Sequence, residues 1–209
     1  FIASALVLGL LVGSFLNVLG WRLPKMLDQD WQAQAREFLA LPAPDKGPVY
    51  NLLLPHSHCP HCQHRLRAWE NIPLISYLFL RGKCAECKKA ISPRYPLTEL
   101  ACGLLSAFIA WHFGFSAQAG WMLVLTWGLI AICLIDLEHM IVPDVLVLPL
   151  LWLGLLLNSF DTFTSLSQAV WAAALGYACL WSIFWLLKLL TGKDGLGYGD
   201  FKLLAMIGA

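Results

Sequence analysis

Residues 119–135 read AGWMLVLTWGLIAICLI, an uncharged stretch that ends directly before Asp136. An apolar run of about 17–25 residues is long enough to cross a bilayer as a helix, and a helix satisfies its own backbone hydrogen bonds inside lipid. The stretch therefore predicts a transmembrane helix with a carboxylate at its end.

Similar apolar runs occur on both sides of this stretch, at residues 1–21, 97–115, 145–157 and 169–187, and a last one opens at residue 201. The chain is 59% hydrophobic and 13% charged, against roughly 45–50% and 25% in a soluble domain. We therefore predict an all-α polytopic membrane protein in contact with membrane lipid. The net charge of +1 creates no field that would favour a nucleic-acid partner.

Eleven of the fourteen Lys and Arg residues fall between Arg22 and Arg94. Because basic residues near membrane spans concentrate on the cytoplasmic side, this segment is predicted to be cytoplasmic. We predict a first transmembrane helix at 1–21, a cytoplasmic domain at 22–96 and a helical membrane core at 97–209. The core is expected to be C-terminally incomplete, because the sequence stops at residue 209 inside an apolar run.

Two Cys-x-x-Cys pairs lie in the predicted cytoplasmic domain, Cys59 with Cys62 and Cys84 with Cys87, separated by 21 residues. Two such pairs close a tetrahedral structural zinc site. Metal ligation would then supply much of the folding energy of a domain with few apolar residues. The alternative is a set of redox-active or merely exposed thiols, and the histidines at 56, 58, 61 and 64 are expected to lie outside the ligand shell.

Asp136 and Asp200 are the acidic residues that the apolar pattern does not explain. A carboxylate at membrane depth is costly, so it is by default a functional residue. Asp136 follows an apolar helix, where the helix dipole disfavours negative charge, and Asp200 ends GLGYGD at 195–200. Two carboxylates in one site can share a proton, so that one polarises a carbonyl while the other activates water. The pair therefore predicts peptide hydrolysis without a covalent intermediate.

Structural interpretations of the acidic residues remain open. Asp200 precedes a predicted helix and could cap it, and Asp144 after Pro143 is expected to cap the helix at 145–157. Glu138 and His139 are expected to be interfacial.

The chain resembles the type IV prepilin peptidases (prepilin leader peptidase/N-methyltransferase), membrane aspartyl proteases with a Gly-x-Gly-Asp motif. The matching segments are GSFLNV at 13–18, the cysteine quartet, ENIPL at 70–74, SPRYPL at 92–97, LID at 134–136 with PD at 143–144, and GYGD at 197–200. The resemblance implies that Asp136 and Asp200 are the catalytic pair and that the four cysteines bind zinc.

The resemblance also implies an activity and a location. Such enzymes remove the basic leader of prepilins and pseudopilins of type IV pili and type II secretion, at the cytoplasmic face of the bacterial inner membrane. They then methylate the new N-terminus with S-adenosylmethionine, and Gly82 and Lys83 are a guess for the neighbourhood of that cofactor. The alternatives are an intramembrane aspartyl protease for other substrates and a non-enzymatic transporter or scaffold.

Overall fold

The computed structural model describes residues 1–42, 49–193, 195 and 197–209, and in these residues it is helical with no strand. The α-helices are α1 (Ile2–Phe38), α2 (Ile75–Phe79), α3 (Arg94–Phe113), α4 (Ala117–His139), α5 (Asp144–Asn158), α6 (Leu166–Thr191) and α7 (Tyr198–Gly208), with a short 3-10 helix at Ala68–Asn71. Four of them, α1, α3, α4 and α6, are long and apolar enough to cross a membrane. The predicted fold class is confirmed.

The helices extend beyond the apolar runs that predict them. Helix α1 continues through Pro24 to Phe38, well past the apolar run that ends at residue 21. Ser116 and Ser165 start α4 and α6 by accepting the backbone N–H groups of Ala119 and Gln168. These caps fix the ends of the helices that carry or flank the candidate catalytic residues.

The chain divides into two compact units, Phe1–Phe115 and Ser116–Ala209. The first unit groups α3 with α1, and the second contains α4 to α7. This division follows packing within the protein, whereas the predicted boundaries at residues 21 and 96 follow the membrane surface. Those three predicted domains stay a prediction.

Small residues let α1 and α3 pack closely in the first unit. A Cβ added to Gly9 would come within 2.7 Å of the Cys102 carbonyl oxygen, and one on Gly13 within 2.8 Å of the Glu99 Cα. Small residues spaced by four along a helix are the usual means of close helix packing in membranes. Glu99 is itself buried and accepts the backbone N–H of Leu74 at 2.8 Å, which ties the segment before α2 to this helix pair.

The second unit is held by a hydrophobic cluster to which three helices contribute. Ile132 of α4, Val147 of α5 and Met206 of α7 are its buried centre, and further apolar side chains pack around them. Helix α6 contacts α7 through a separate aromatic group in which Phe184 and Phe201 are almost fully buried, with ring centroids 5.7 Å apart. Both contacts position α7, the helix on which Asp200 lies.

Candidate active site and metal centre

The two cysteine pairs form structurally equivalent turns. In the first turn, the Cys59 N–H donates to the His64 carbonyl and the Gln63 N–H donates to the Cys59 carbonyl, both at 2.9 Å. The second turn repeats both bonds, from Cys84 to Lys89 at 2.9 Å and from Lys88 to Cys84 at 3.1 Å. Gln63 and Lys88 each have a φ of 58°. Each turn thus directs two sulfur atoms to the same side.

The four sulfur atoms meet as a compact group, all within 4.8 Å of one another. The Sγ atoms of Cys59 and Cys87 are 3.8 Å apart, and those of Cys62 and Cys84 are 3.9 Å apart. Zinc–sulfur bonds of about 2.3 Å in a tetrahedron place the sulfurs about 3.8 Å apart, so the group fits a zinc ion. The prediction that these four residues come together from two distant turns is confirmed; the ion itself stays a prediction.

The thiol environment also favours a cation. Burial acts to raise the pKa of Cys59, but the backbone N–H of Cys62 lowers it to about 7. Backbone N–H donation from Cys87 keeps the pKa of Cys84 below its ordinary value. The backbone N–H of His64 acts to lower the pKa of Cys62, yet burial and the neighbouring thiols raise it to about 11. These shifts favour the thiolate form, which is the form that binds a metal ion, at Cys59 and Cys84.

The histidines lie outside this sulfur group, as the sequence predicts. His64 instead contacts Glu70, with 3.1 Å between the imidazole Nε2 and the carboxylate. The same carboxylate also accepts the backbone N–H of Arg67 at 2.8 Å. Burial acts to raise the pKa of Glu70, but these two donors hold it below its ordinary value. Glu70 therefore links the first cysteine turn to the ENIPL segment.

Gly82 occupies the turn that leads into the second cysteine pair. Its φ is +68°, and a Cβ there would come within 2.9 Å of the Tyr77 hydroxyl. The turn therefore requires glycine, and the Tyr77 ring already fills the space beside it. The Tyr77 ring leaves no open space for a cofactor at this contact. The assignment of Gly82 and Lys83 to an S-adenosylmethionine site stays a prediction.

Asp136 lies in the last turn of α4, and its side chain is exposed. Its own carbonyl accepts the N–H of Met140 at 2.9 Å, and Met140 ends the helix in the left-handed conformation with φ 53°. The described residues offer the Asp136 carboxylate no hydrogen bond or ion pair. The catalytic role of Asp136 stays a prediction.

Asp200 lies in the first turn of α7 and is half-buried. Its Oδ2 accepts the backbone N–H of Gly197 at 3.2 Å. Gly197 is the N-cap of α7 and Asp200 is the third residue of the helix, so Asp200 does not hold the N-cap position that the sequence permits but bonds back to the N-cap residue. This bond uses one carboxylate oxygen, and the other oxygen is left for a substrate or water.

Asp136 and Asp200 each lie one helical turn from a residue of the three-helix cluster. Ile132 lies one turn before Asp136 on α4, and Leu203 lies one turn after Asp200 on α7. Both belong to the same hydrophobic cluster. Residues three or four apart share a helix face, so each carboxylate lies on a helix face that contributes to this cluster. Among the described residues they do not form a direct hydrogen bond with each other, and that they act as a pair stays a prediction.

Asp144 does not have its predicted role. It is the first residue of α5, Pro143 holds the cap position, and no side chain caps the helix. The Asp144 carboxylate instead binds the Lys202 ammonium through both oxygens, at 2.7 and 2.8 Å. The prediction of a cap is wrong because a lysine 58 residues away provides a stronger partner than the helix N–H groups. The sequence did not predict this partner, although Lys202 follows Asp200 by only two residues.

Glu138 and His139 are exposed at the end of α4, as expected for interfacial residues.

Comparison with known proteins gives two family matches that together cover most of the chain. A model described as "Bacterial Peptidase A24 N-terminal domain" matches residues 7–113, and one described as "Type IV leader peptidase family" matches residues 123–209. No solved structure matches.

Curated relatives align over nearly the whole chain. A protein of Stutzerimonas stutzeri is 68% identical over 209 residues, which are all of this chain and 72% of that protein. A protein of Pseudomonas aeruginosa is 62% identical with the same coverage, and one of Neisseria gonorrhoeae is 50% identical over 98% of this chain and 72% of its own. All three are named "Prepilin leader peptidase/N-methyltransferase".

Proposed function

The chain belongs to the type IV leader peptidase family, and we propose that Asp136 and Asp200 are the carboxylates with which it cleaves its substrate. The name shared by its relatives confirms the predicted function and the predicted enzyme class: the protein is a prepilin leader peptidase and N-methyltransferase. The alternatives, an intramembrane protease for other substrates and a transporter or scaffold, are not favoured.

The observation that supports the catalytic pair is that Ile132, one turn before Asp136, and Leu203, one turn after Asp200, pack in the same hydrophobic cluster. One carboxylate would take a proton from the attacking water while the other, protonated, donates to the scissile carbonyl. The exposed Asp136 and the half-buried Asp200 leave room for a peptide strand and a water molecule. The Gly197 N–H holds Asp200 at the helix start while the reaction proceeds.

The charges of the second unit support an active site at the cytoplasmic face of the bacterial inner membrane. Lys188, Lys193 and Lys202 lie at the end where α6 finishes and α7 begins, which is also the end that carries Asp200. The opposite connection, residues 159–165 between α5 and α6, contains no Lys or Arg. Basic residues mark the cytoplasmic side, so prepilins and pseudopilins would be cleaved there, in a multi-pass protein surrounded by lipid.

The metal and the methyl donor have separate roles in the proposal. Cys59, Cys62, Cys84 and Cys87 would hold a structural zinc ion, which completes a closed ligand shell and stabilises the domain. S-adenosylmethionine would supply the methyl group for the new N-terminal amine. The described residues around Gly82 do not show how this transfer proceeds. The proposal therefore gives only the class of reaction, methyl transfer to an amine.

Incubation of the membrane-embedded full-length chain with a leader-bearing prepilin and labelled S-adenosylmethionine tests both activities. The proposal predicts a shortened pilin that carries the label. Accessibility labelling tests the topology: a reagent confined to the outer side should modify a cysteine placed at Thr164 and leave one at Lys193 unmodified. The reverse pattern would place Asp200 on the wrong side of the membrane for this function.

A further inference from the structure

The strongest polar contact in the second unit outside the candidate catalytic pair joins Asp144 and Lys202. The Lys202 ammonium lies 2.8 and 2.7 Å from the two Asp144 carboxylate oxygens. The lysine side chain is 35% exposed and the aspartate 52%, so water screens the pair. Such exposed ion pairs contribute little to folding stability. This pair uses both carboxylate oxygens, however, a geometry that restricts how the two chain segments move relative to each other.

The placement of this ion pair relates it to the catalytic residues. Lys202 follows Asp200 by two residues in α7, and Asp144 begins α5 after the short connection from α4. An aspartate at a helix start is favoured by the helix dipole, and Asp144 is the first residue of α5. Its contact with Lys202 joins the start of α5 to the second turn of α7.

A second contact acts at the same place. Gly199, next to Asp200, packs so closely on Val142 that an added Cβ would lie 2.7 Å from the Val142 Cβ. Val142 belongs to the connection that begins at Met140, whose N–H is bonded to the Asp136 carbonyl. Two contacts therefore hold the chain around Asp200 against the segment that follows α4. One is the apolar contact of Gly199 with Val142, and the other is the ion pair of Lys202 with Asp144.

We propose that Lys202 and Asp144 are positioning residues for proteolysis: their ion pair sets the distance of the Asp200 carboxylate from Asp136. The inference rests on the proposed role of those two aspartates. Paired carboxylates that share a water tolerate little displacement, and a misplacement of about 1 Å can cost on the order of 100-fold in rate. The ion pair would act on the turnover rate, with little effect on substrate affinity.

The test compares Lys202→Met, Asp144→Asn and the double variant, in the full-length chain in membranes, by the kcat and KM of prepilin cleavage. Each single change should lower kcat by about 10–100-fold with KM within about threefold, and the double change should cost no more than the worse single change. Lys202→Arg keeps the charge and should stay within about threefold of the wild-type kcat. Lys193→Met removes an exposed lysine at the same end of the unit and is the matched control.

Methyl transfer to a trimmed pilin is measured on the same preparations. It should be unchanged in every variant, because the pair is proposed to act only on the proteolytic carboxylates. Cleavage by Lys202→Met at the wild-type rate, losses that multiply in the double variant, or a parallel loss of methyl transfer would each overturn the positioning role. Asp200→Asn separates the two proposals: if it still cleaves, the catalytic pair is wrong, and if it is inactive while Lys202→Met is fully active, only the positioning role is wrong.

Discussion

Gly199 and Val142 approach so closely that a Cβ on residue 199 would lie 2.7 Å from the Val142 Cβ. Real Cβ contacts are essentially never this short, so the Val142 side chain leaves room only for glycine at residue 199. This contact brings the GYGD segment against the connection that follows α4. Residue 199, next to Asp200, is thus held close to Val142 in the connection between α4 and α5.

The first prediction concerns this contact. Gly199→Ala should lower stability by about 1–3 kcal/mol, as overpacking does, and should displace Asp200 enough to reduce prepilin cleavage strongly. Thermal unfolding and cleavage rates would be measured together. Gly120→Ala is the control, because a Cβ at residue 120 meets no atom within 4 Å. Normal cleavage by Gly199→Ala would show that the close contact has no part in positioning Asp200.

A second prediction concerns the sulfur group. Protein prepared without chelator should contain one zinc ion per chain, since the four Sγ atoms already lie at tetrahedral distances. Cys84→Ser should reduce the zinc content and expose the surrounding loop to proteases, whereas Cys133→Ser, at an exposed position on α4, should not. Elemental analysis decides between these outcomes. Zinc-free protein with an ordered loop would contradict the metal centre.

A third prediction concerns Arg22, which is buried and donates to the backbone carbonyls of Asn51, Leu52 and Pro55. Arg22→Met should lower the free energy of unfolding by about 1.5–3 kcal/mol for each strong hydrogen bond to the charged group that is lost. Water that reaches the freed carbonyls should offset part of this loss. We expect faster proteolysis within residues 49–57. Arg36→Met, at an exposed position on the same helix, should leave the proteolysis rate unchanged. Equal rates for both variants would mean that Arg22 does not hold this segment.

The sequence was sufficient to predict the fold class because apolar runs of spanning length have few structural solutions inside lipid. The cysteine quartet was predictable for a similar reason, since two Cys-x-x-Cys pairs at this spacing converge on one ion. Asp136 was predicted to be functional because its position after an apolar helix had no structural explanation, and this stays a prediction. All three predictions depend on local pattern and general physics.

Contacts between distant residues were not predictable. The Asp144–Lys202 ion pair joins residues 58 apart, and the local pattern around Asp144 instead favoured a helix cap. The contact of Gly199 with Val142 depends on how α7 packs against the connection after α4, which no periodicity reports. Helix α1 exceeded the predicted apolar run because residues 28–38 are polar but rich in good helix formers such as Gln, Ala and Arg.

The central prediction is that Asp136 and Asp200 act as a unit in proteolysis. Asp136→Asn and Asp200→Asn should each abolish prepilin cleavage about as completely as the double change, because residues that share one proton do not contribute additively. Asp136→Asn should leave methyl transfer to a trimmed pilin largely intact, which shows that the variant is folded. Asp144→Asn should be far less damaging than either.

The most direct measurement is prepilin cleavage by the three Asn variants of this pair, single and double, at wild-type abundance in membranes. The account predicts that no shortened pilin is formed by any of them. Appreciable cleavage by either single variant would contradict the catalytic pair and would leave Asp200 with only the capping bond that it accepts from the Gly197 N–H.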